Sequence, residues 1–243
     1  MIEINNLHKS FDSKKVLRGV DLQIHDGETI VIIGRSGCGK SVLLKLIVGL
    51  LSPEEGSVKV EGKIIGELPE RELYEVRRNF GFLFQVAALF DSMTVGENVA
   101  LPLVEANSGT AEEEIKRLVE EKLELVGLSG IQNLKPSELS GGMKKRVGLA
   151  RALITNPNYI LYDEPTTGLD PIMSDSIDNL IKELAEKLKV TSIVVTHDMF
   201  SVKNVAHKVA MMHDGIVHFV GNIDELQNSS DEIITEFIKR TES

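Results

Sequence analysis

Hydrophobic and polar residues alternate along the first part of the chain, over residues 2–33. A period of two places apolar side chains on one face of a β-strand, and the pairs Asp12-Ser13 and Asp26-Gly27 are typical of turns between strands. The segment therefore predicts short strands. The last of them, Thr29–Ile33, is almost entirely apolar, which indicates a strand buried on both faces.

The hydrophobic period changes to that of a helix soon after this strand. A glycine-bearing loop comes first, and then Leu43, Leu44, Ile47 and Val48 recur at the spacing of one helix face. Gly49 is typical of a helix C-terminus, and the apolar pattern ends near it. The order strand, loop and helix is thus predicted for this part of the chain.

Helical patterns dominate the middle of the chain, between Phe90 and Leu153. Apolar residues at helical spacing on a charged background predict one helix over Glu112–Val126, and a second helix is predicted to begin around Ser140. These helices would form a mostly helical lobe between two segments that are rich in strands.

Strand patterns return in the last third of the chain. Tyr159–Tyr162 and Thr191–Thr196 are short apolar runs, and a helix is predicted from about Met173 to Leu188 between them. This order is typical of a parallel βαβ unit. Two hairpins are also predicted, Ser57–Val60 with Lys63–Ile65 and Val209–His213 with Ile216–Val220.

Composition and charge narrow the function classes. The chain has 243 residues, of which 42% are hydrophobic and 26% charged, as in an ordinary globular protein. The net charge is -10, and lysine and arginine are scattered singly or in pairs, so no basic stripe offers itself to a phosphate backbone. No nucleic acid partner is therefore expected.

The single cysteine and the apolar tracts bear on the compartment. Cys38 alone closes no internal disulfide and suits a reducing compartment, which favours the cytoplasm. The first residues lack the basic and apolar regions of an export signal. The longest apolar tract, Val42–Leu51, is about half the roughly 20 residues that a spanning helix needs. Other chains would have to supply any membrane spans.

The loop after the buried strand carries the first chemical motif. It fits the pattern G-x-x-x-x-G-K-[ST] between a predicted strand and a predicted helix, which makes a plain glycine turn the weaker interpretation. Backbone N–H groups of such a loop surround phosphate, its lysine reaches the β- and γ-phosphate oxygens, and its hydroxyl residue binds Mg²⁺. The loop is predicted to bind a nucleoside triphosphate through Gly34, Arg35, Ser36, Gly37, Cys38, Gly39, Lys40 and Ser41.

Two adjacent carboxylates at the end of the strand Tyr159–Tyr162 form the second motif. Asp163 and Glu164 would point to opposite faces of the pleat, so that Asp163 holds the Mg²⁺ shell and Glu164 faces the attacking water. A solvated strand terminus is the alternative. A phosphate loop on a neighbouring strand favours the catalytic interpretation.

The third motif indicates a family. The run from Leu139 through Ser140, Gly141 and Gly142 into the following helix resembles the signature motif of ATP-binding cassette (ABC) proteins, about twenty residues before Asp163. Taken alone, Ser140 is equally well a helix N-cap. Two later segments resemble other motifs of the same family, Thr167–Asp170 its D-loop and Val195–Asp198 its switch-histidine motif.

Two further residues complete the resemblance. Phe84-Gln85 is similar to the Q-loop, whose glutamine touches the Mg²⁺ and water site, and Phe11 is the candidate for the ring that stacks on adenine. Gln85 could also be a surface amide, Phe11 a core ring and His197 a structural histidine. The order of the motifs along the chain favours the functional interpretation of His197.

The resemblance covers essentially the whole chain and implies a fold. That fold is an α/β P-loop NTPase core with an antiparallel β subdomain and an inserted α-helical subdomain. On this basis residues 1–243 form a single ABC ATPase domain, with a core over 1–85 and 156–243 and the helical subdomain over 86–155.

The resemblance also implies a mechanism with ATP and Mg²⁺. In this family two cassettes pair head to tail, so the phosphate loop of one faces the signature helix of the other. Ser140, Gly141 and Gly142 would then contact the γ-phosphate across the interface, with Asp170 nearby. Hydrolysis would use Glu164, positioned by His197 and Gln85, while Ser41, Gln85 and Asp163 hold the metal.

Finer features resemble the ATPases of MCE-associated (Mla-type) lipid transporters. Met143 stands where most family members have Gln, and the stretch Phe84–Val95 at the Q-loop is similar to theirs. Val42, where Thr is common, departs from the pattern. The resemblance implies that the chain forms a homodimer and has two partners, an integral-membrane permease and an MCE-domain protein. The implied cargo is phospholipid, and the implied role is to maintain outer-membrane lipid asymmetry. The chain would lie peripherally on the cytoplasmic face of the inner membrane.

The sequence leaves alternatives open for the cargo, for the class of cassette protein and for the role of one apolar cluster. The cargo of the transporter could instead be an amino acid or a lipoprotein. A cassette protein that acts in translation or DNA repair is a weaker alternative. Such proteins usually carry two cassettes or a coiled-coil insertion, and this sequence shows neither. An apolar cluster around Gln85 would receive the permease's coupling helix or, equally, serve interior packing. Its members are Phe82, Phe84, Leu89 and Phe90.

Overall fold

The computed structural model describes residues 1–106 and 109–241. Residues 107–108, inside the predicted helical subdomain, and residues 242–243, inside the predicted core, lie outside the described residues. Within the described ranges, no helix is both long enough and apolar enough to cross a membrane.

Ten strands and nine α-helices make up the described chain. The strands are β1 (Ile2–Phe11), β2 (Lys14–Ile24), β3 (Thr29–Ile33), β4 (Glu55–Val60), β5 (Lys63–Ile64), β6 (Phe80–Leu83), β7 (Tyr159–Asp163), β8 (Thr191–Val195), β9 (Lys208–His213) and β10 (Ile216–Gly221). The helices are α1 (Lys40–Ile47), α2 (Glu70–Arg78), α3 (Val95–Glu105), α4 (Glu112–Leu125), α5 (Gly141–Leu153), α6 (Pro171–Leu188), α7 (Met199–Val205), α8 (Ile223–Gln227) and α9 (Glu232–Thr241).

A four-stranded antiparallel sheet in the order β2-β1-β4-β5 covers the N-terminal part. The prediction of short strands is wrong here, since β1 has 10 residues and β2 has 11. Register shifts interrupt the pairing of β1 with β2 at three places, for example between Ile4 and Leu7. Each shift moves side chains to the other face, so the alternation looks broken in the sequence although the strand continues.

The second sheet has six strands in the order β10-β9-β3-β8-β7-β6. Strands β6, β7, β8, β3 and β9 run parallel, and β10 pairs antiparallel with β9. The predicted βαβ unit is confirmed, but β8 separates β3 from β7, so the prediction that these two strands are neighbours is wrong. The carboxyl ends of β3, β8 and β7 still meet at one edge, where open α/β sheets bind ligands.

The six-stranded sheet separates two hydrophobic cores. Val31 and Ile33 of β3 face the core that includes α3, α4, α5 and α6, whereas Ile30 and Ile32 face the core shared with α1 and the antiparallel sheet. All four side chains are fully buried. Burial on both faces keeps β3 rigid, and the phosphate loop leaves from its end.

Two of the three α-helices between β6 and β7, α3 and α5, have side-chain caps that their sequences favour. Thr94 and Glu97 form a capping box at the start of α3, and Ser140 accepts a hydrogen bond from the Met143 N–H at the start of α5.

Helix α2 was not predicted from the sequence. It is strongly charged and buries only Val76, so its apolar period is too weak to read.

Candidate functional site

The phosphate loop joins β3 to α1 with a backbone that favours glycine. Gly34, Gly37 and Gly39 have φ values of 150°, 77° and 106°. A Cβ at Gly34 would lie 2.5 Å from the Met212 carbonyl oxygen, and one at Gly39 would lie 2.6 Å from Leu17 Cδ2. The loop therefore curls tightly, and its N–H groups together with the N-terminus of α1 form a cradle suited to an anion.

Lys40 is a buried cation beside this loop. Its Nζ donates to the carbonyl oxygens of Gly34 at 2.7 Å and Arg35 at 3.3 Å. Both partners are neutral carbonyls of the loop itself. The ammonium group is thus held against the phosphate loop, and its contact with phosphate oxygens stays a prediction.

Ser41 and Asp163 meet across the sheet edge. Ser41 Oγ donates to Asp163 Oδ1 at 3.0 Å. Burial raises the pKa of Asp163, and the hydrogen bond from Ser41 partly offsets that effect. A hydroxyl and a half-buried carboxylate side by side fit a hard cation such as Mg²⁺, whose charge would favour the ionised carboxylate.

Glu164 lies one residue beyond the end of β7. Its φ is 51°, in the left-handed region that a residue with a side chain seldom adopts, and such backbone often occurs at functional sites. Glu164 Oε2 lies 2.9 Å from His197 Nδ1 and accepts from Thr167 Oγ1 at 3.3 Å. Asp163 and Glu164 thus have different partners because of a turn at Glu164, not because of the strand pleat predicted from the sequence.

Gln85 and the buried Lys145 connect the catalytic edge with the helical segment. Gln85 lines the cavity beside the phosphate loop. Lys145, on α5, donates to the carbonyl oxygens of Gln85 and, at 3.4 Å, Glu164, and burial lowers its pKa. Lys145 could not be predicted as a site residue, because a lysine within a charged run gives no sign that it is buried.

One cavity of 720 Å³ brings most of the predicted residues together. Its walls include the phosphate loop from Gly34 to Ser41 except Cys38, together with Gln85, Glu164 and His197. Phe11 does not line it. That ring is 43% exposed and lies 5.6 Å from Lys9 Nζ, so adenine stacking on Phe11 stays a prediction.

The signature residues lie outside this cavity. Ser140 and Gly141 are exposed. Gly142 packs against Met173 of α6, and a Cβ at Gly142 would lie 3.0 Å from Met173 Cε. Asp170 caps α6 by accepting from the Met173 N–H at 2.9 Å. One copy of the chain therefore holds the phosphate loop and the signature residues at separate places.

Four cavity residues have no counterpart in the sequence analysis. Val16 comes from β2, and the other three come from α9, the last helix. Their sequence context carries no phosphate-binding motif, and only the packing of α9 brings them to the cavity. The α9 residues are Phe237, Arg240 and Thr241.

Comparison with known proteins agrees with this geometry. The family model described as "ABC transporter" matches residues 17–167. A probable ribonucleotide transport ATP-binding protein (mkl) of Mycobacterium tuberculosis is 43% identical over 98% of this chain, which spans 66% of that protein. The intermembrane phospholipid transport ATP-binding protein MlaF of Haemophilus influenzae is also 43% identical, over 98% of this chain and 90% of its own length.

Other relatives carry different names or have solved structures. The methionine import ATP-binding protein MetN of Clostridioides difficile is 44% identical over 93% of this chain and 70% of its own length. A dimeric bacterial ABC transporter cassette aligns with a TM-score of 0.84 and 36% identity, over 92% of this chain and 99% of that structure. The family match and these identities together show that this chain belongs to the ABC transporter family as an ATP-binding cassette ATPase.

Proposed function

We propose that this ABC transporter ATPase works as a pair of cassettes beneath an integral-membrane permease and powers phospholipid transport by an Mla-type complex. The observation that carries the ATPase role is the carboxylate of Glu164, held by His197 in the same cavity as the phosphate loop. The name of the Haemophilus relative and the apolar surface near Gln85 support the lipid role.

Hydrolysis in this proposal is an in-line attack of water on the terminal phosphorus of ATP. Glu164 takes the proton of the attacking water while the bond from the γ-phosphorus to the bridging oxygen breaks. Lys40 and the loop N–H groups stabilise the charge on the phosphate oxygens, and His197 keeps the Glu164 carboxylate oriented.

A metal ion completes the proposed site. Ser41 and Asp163 are the residues whose contact fits Mg²⁺, and Gln85 lies on the same cavity wall. When bound, Mg²⁺ would neutralise charge between the β- and γ-phosphates. The residues themselves orient the phosphates and keep the leaving oxygen near Lys40.

Pairing of two copies follows from the separation of the two halves of the site. Ser140 and Gly141 stand exposed at the N-terminus of α5, whose free N–H groups suit a phosphate. In the proposed pair they face the phosphate loop of the second copy. Loss of the γ-phosphate removes that contact and loosens the pair, and the permease receives the motion.

The apolar cluster around Gln85, together with the neighbouring Val86, is proposed as the permease contact. Phe84, Val86 and Phe90 are 37%, 81% and 51% exposed, whereas Phe82 and Leu89 are half-buried against the cores. Exposed apolar patches of this kind mark interaction sites. Binding a permease there would place the chain peripherally on the cytoplasmic face of the inner membrane.

A second candidate is an ABC transporter ATPase for another cargo. The methionine import relative is as similar to this chain as the phospholipid transport relative. Because the ATPase does not bind the cargo itself, the cargo depends on the permease and the external binding protein. An MCE-domain chain is expected with phospholipid, and another type of binding protein with an amino acid.

Affinity purification from a detergent extract tests this proposal, with the bound chains and lipids identified. We expect a permease, an MCE-domain protein and phospholipid. Val86→Glu should remove the permease, whereas Val220→Glu, a change at an exposed valine of β10, should retain it. A permease recovered with an amino-acid binding protein would contradict the lipid role, and permease binding by Val86→Glu would contradict the assigned surface.

A further inference from the structure

The last helix of the described chain, α9, forms one wall of the nucleotide cavity. Phe237, Arg240 and Thr241 line the 720 Å³ cavity together with the phosphate loop. Arg240 and Thr241 also line an adjoining cavity of 410 Å³, together with Glu164 and His197. The side chain of Arg240 therefore lies at the catalytic end, where the terminal phosphate is processed in the proposed reaction.

Apolar packing and capping hold α9 in this position. Ile234 and Phe237 are buried in the larger core, at 2% and 3% exposure. Asp231 Oδ1 accepts from the N–H groups of Ile233 and Ile234 at the start of the helix, and His218 Nε2 lies 3.1 Å from Asp231 Oδ2. The wall is thus a fixed element of the fold, and its charged side chains have a defined place.

One carboxylate on α9 bridges two guanidinium groups at this wall. Glu236 Oε2 lies 3.0 Å from Arg35 of the phosphate loop, and Glu236 Oε1 lies 2.6 Å from Arg240, one turn further along α9. These side chains are 48% to 65% exposed, so water and ions compete with the pairs. A more highly charged anion could replace the carboxylate without unfolding the helix.

We propose that Arg240 is a further phosphate-binding residue of the nucleotide site and that Glu236 holds it, with Arg35, until nucleotide arrives. This inference rests on the proposed function. A triphosphate carries more charge than one carboxylate and presents oxygens that match the planar guanidinium donors. Both arginines then exchange Glu236 for phosphate, so Glu236 opposes nucleotide binding while Arg240 favours it.

Replacing Glu236 and replacing Arg240 should change nucleotide affinity in opposite directions, and this difference tests the inference. The dissociation constant of the non-hydrolysable analogue adenylyl imidodiphosphate with Mg²⁺ is measured by calorimetry for the full chain. Arg240→Gln should weaken binding by roughly tenfold, the effect of one lost charge-assisted hydrogen bond. Glu236→Gln should tighten binding by roughly two- to fivefold, because an exposed competing ion pair is weak.

Two exposed residues of the same helix supply the controls. Glu232→Gln and Lys239→Gln make the same changes of charge away from both cavities. Affinities of Arg240→Gln and Glu236→Gln within the range of these controls would overturn the inference, as would tighter binding by Arg240→Gln. Lys40→Ala is measured in parallel. If Lys40→Ala also binds the nucleotide analogue normally, the nucleotide site itself is assigned wrongly. This measurement therefore separates a failure of the proposed function from a failure of the inference about Arg240.

Discussion

Glu164 and His197 are joined by a 2.9 Å contact between Oε2 and Nδ1. Neighbouring strands hold both residues, since Glu164 follows β7, His197 follows β8, and the Glu164 N–H donates to the Val195 carbonyl at 2.9 Å. The contact therefore depends on rigid elements of the fold, which fix the orientation of the carboxylate. Such preorganisation is what a general base requires.

The variant Glu164→Gln should stop hydrolysis and retain nucleotide binding. An amide has nearly the same shape as the carboxylate but takes no proton, so phosphate release should fall by about 10²- to 10⁴-fold. ATP should then hold two copies together, which light scattering during gel filtration can detect. Glu183→Gln, an exposed change on α6, is the control. Turnover at the parental rate by Glu164→Gln would rule out its role as the base.

Lys40→Ala should lose nucleotide affinity. Removing a buried ammonium group that reaches the phosphates costs about 1.5–3 kcal/mol, or roughly a 10- to 100-fold increase in the dissociation constant. Titration with a fluorescent ATP analogue measures the loss. Lys182→Ala, at an exposed position on α6, should bind like the parent. Equal affinities for the two variants would mean that Lys40 does not contact the nucleotide.

The phosphate loop and the two hairpins could be predicted because they depend on local residue type and order. The loop glycines and the hairpin strands are local patterns, and the structure has them where they were expected. The order of strands in the sheet, by contrast, could not be predicted from local patterns. The insertion of β8 between β3 and β7 is a long-range arrangement to which the period of either strand gives no clue.

Residues that reach the site by tertiary packing were not predictable. Lys145 is buried because α5 packs against β6 and the catalytic edge, and Arg240 faces the cavity because Ile234 and Phe237 anchor α9. In the sequence both are ordinary charged residues of amphipathic helices. Their neighbours are distant in the chain, and no spacing rule relates them.

Asp178→Asn should stabilise the protein at neutral pH and above. Asp178 is buried on α6, where Oδ2 accepts from Ser201 Oγ at 2.7 Å and Oδ1 has no hydrogen-bond partner among the residues that the structure describes. Burial, the largest cause, raises its pKa to about 6, and the nearby Asp198 and Asp175 add to the rise. The folded protein therefore favours the protonated carboxyl, and ionisation opposes folding.

The pH dependence of this stabilisation has a definite sign. The cost of ionising Asp178 is absent below its unfolded pKa of 3.8, grows as pH rises and is complete above about 6. Asp178→Asn should thus raise the free energy of unfolding by about 1–3 kcal/mol at pH 7.5, and the gain should disappear towards pH 4. Denaturant titration at several pH values measures it, with the exposed Asp91→Asn as control. A gain independent of pH would contradict this account.

Ser140→Ala should prevent ATP-driven pairing while one copy still binds ATP. The exposed Ser140 hydroxyl is proposed to contact the γ-phosphate held by the second copy, and it also caps α5. Losing an N-cap costs about 1 kcal/mol of stability by itself. Thr94→Ala removes the corresponding cap of α3 and serves as the matched control for that cost.

Both Ser140→Ala and Thr94→Ala are combined with Glu164→Gln, so that any ATP-bound pair accumulates. Light scattering with ATP should then give the mass of one copy for the Ser140 variant and of two copies for the Thr94 variant, although both are destabilised to a similar extent. Analogue binding at low protein concentration should be equal for the two. If the Ser140 variant pairs as well as the Thr94 variant, the signature helix does not face the phosphate loop of the second copy, because a lost γ-phosphate contact must weaken an ATP-dependent interface.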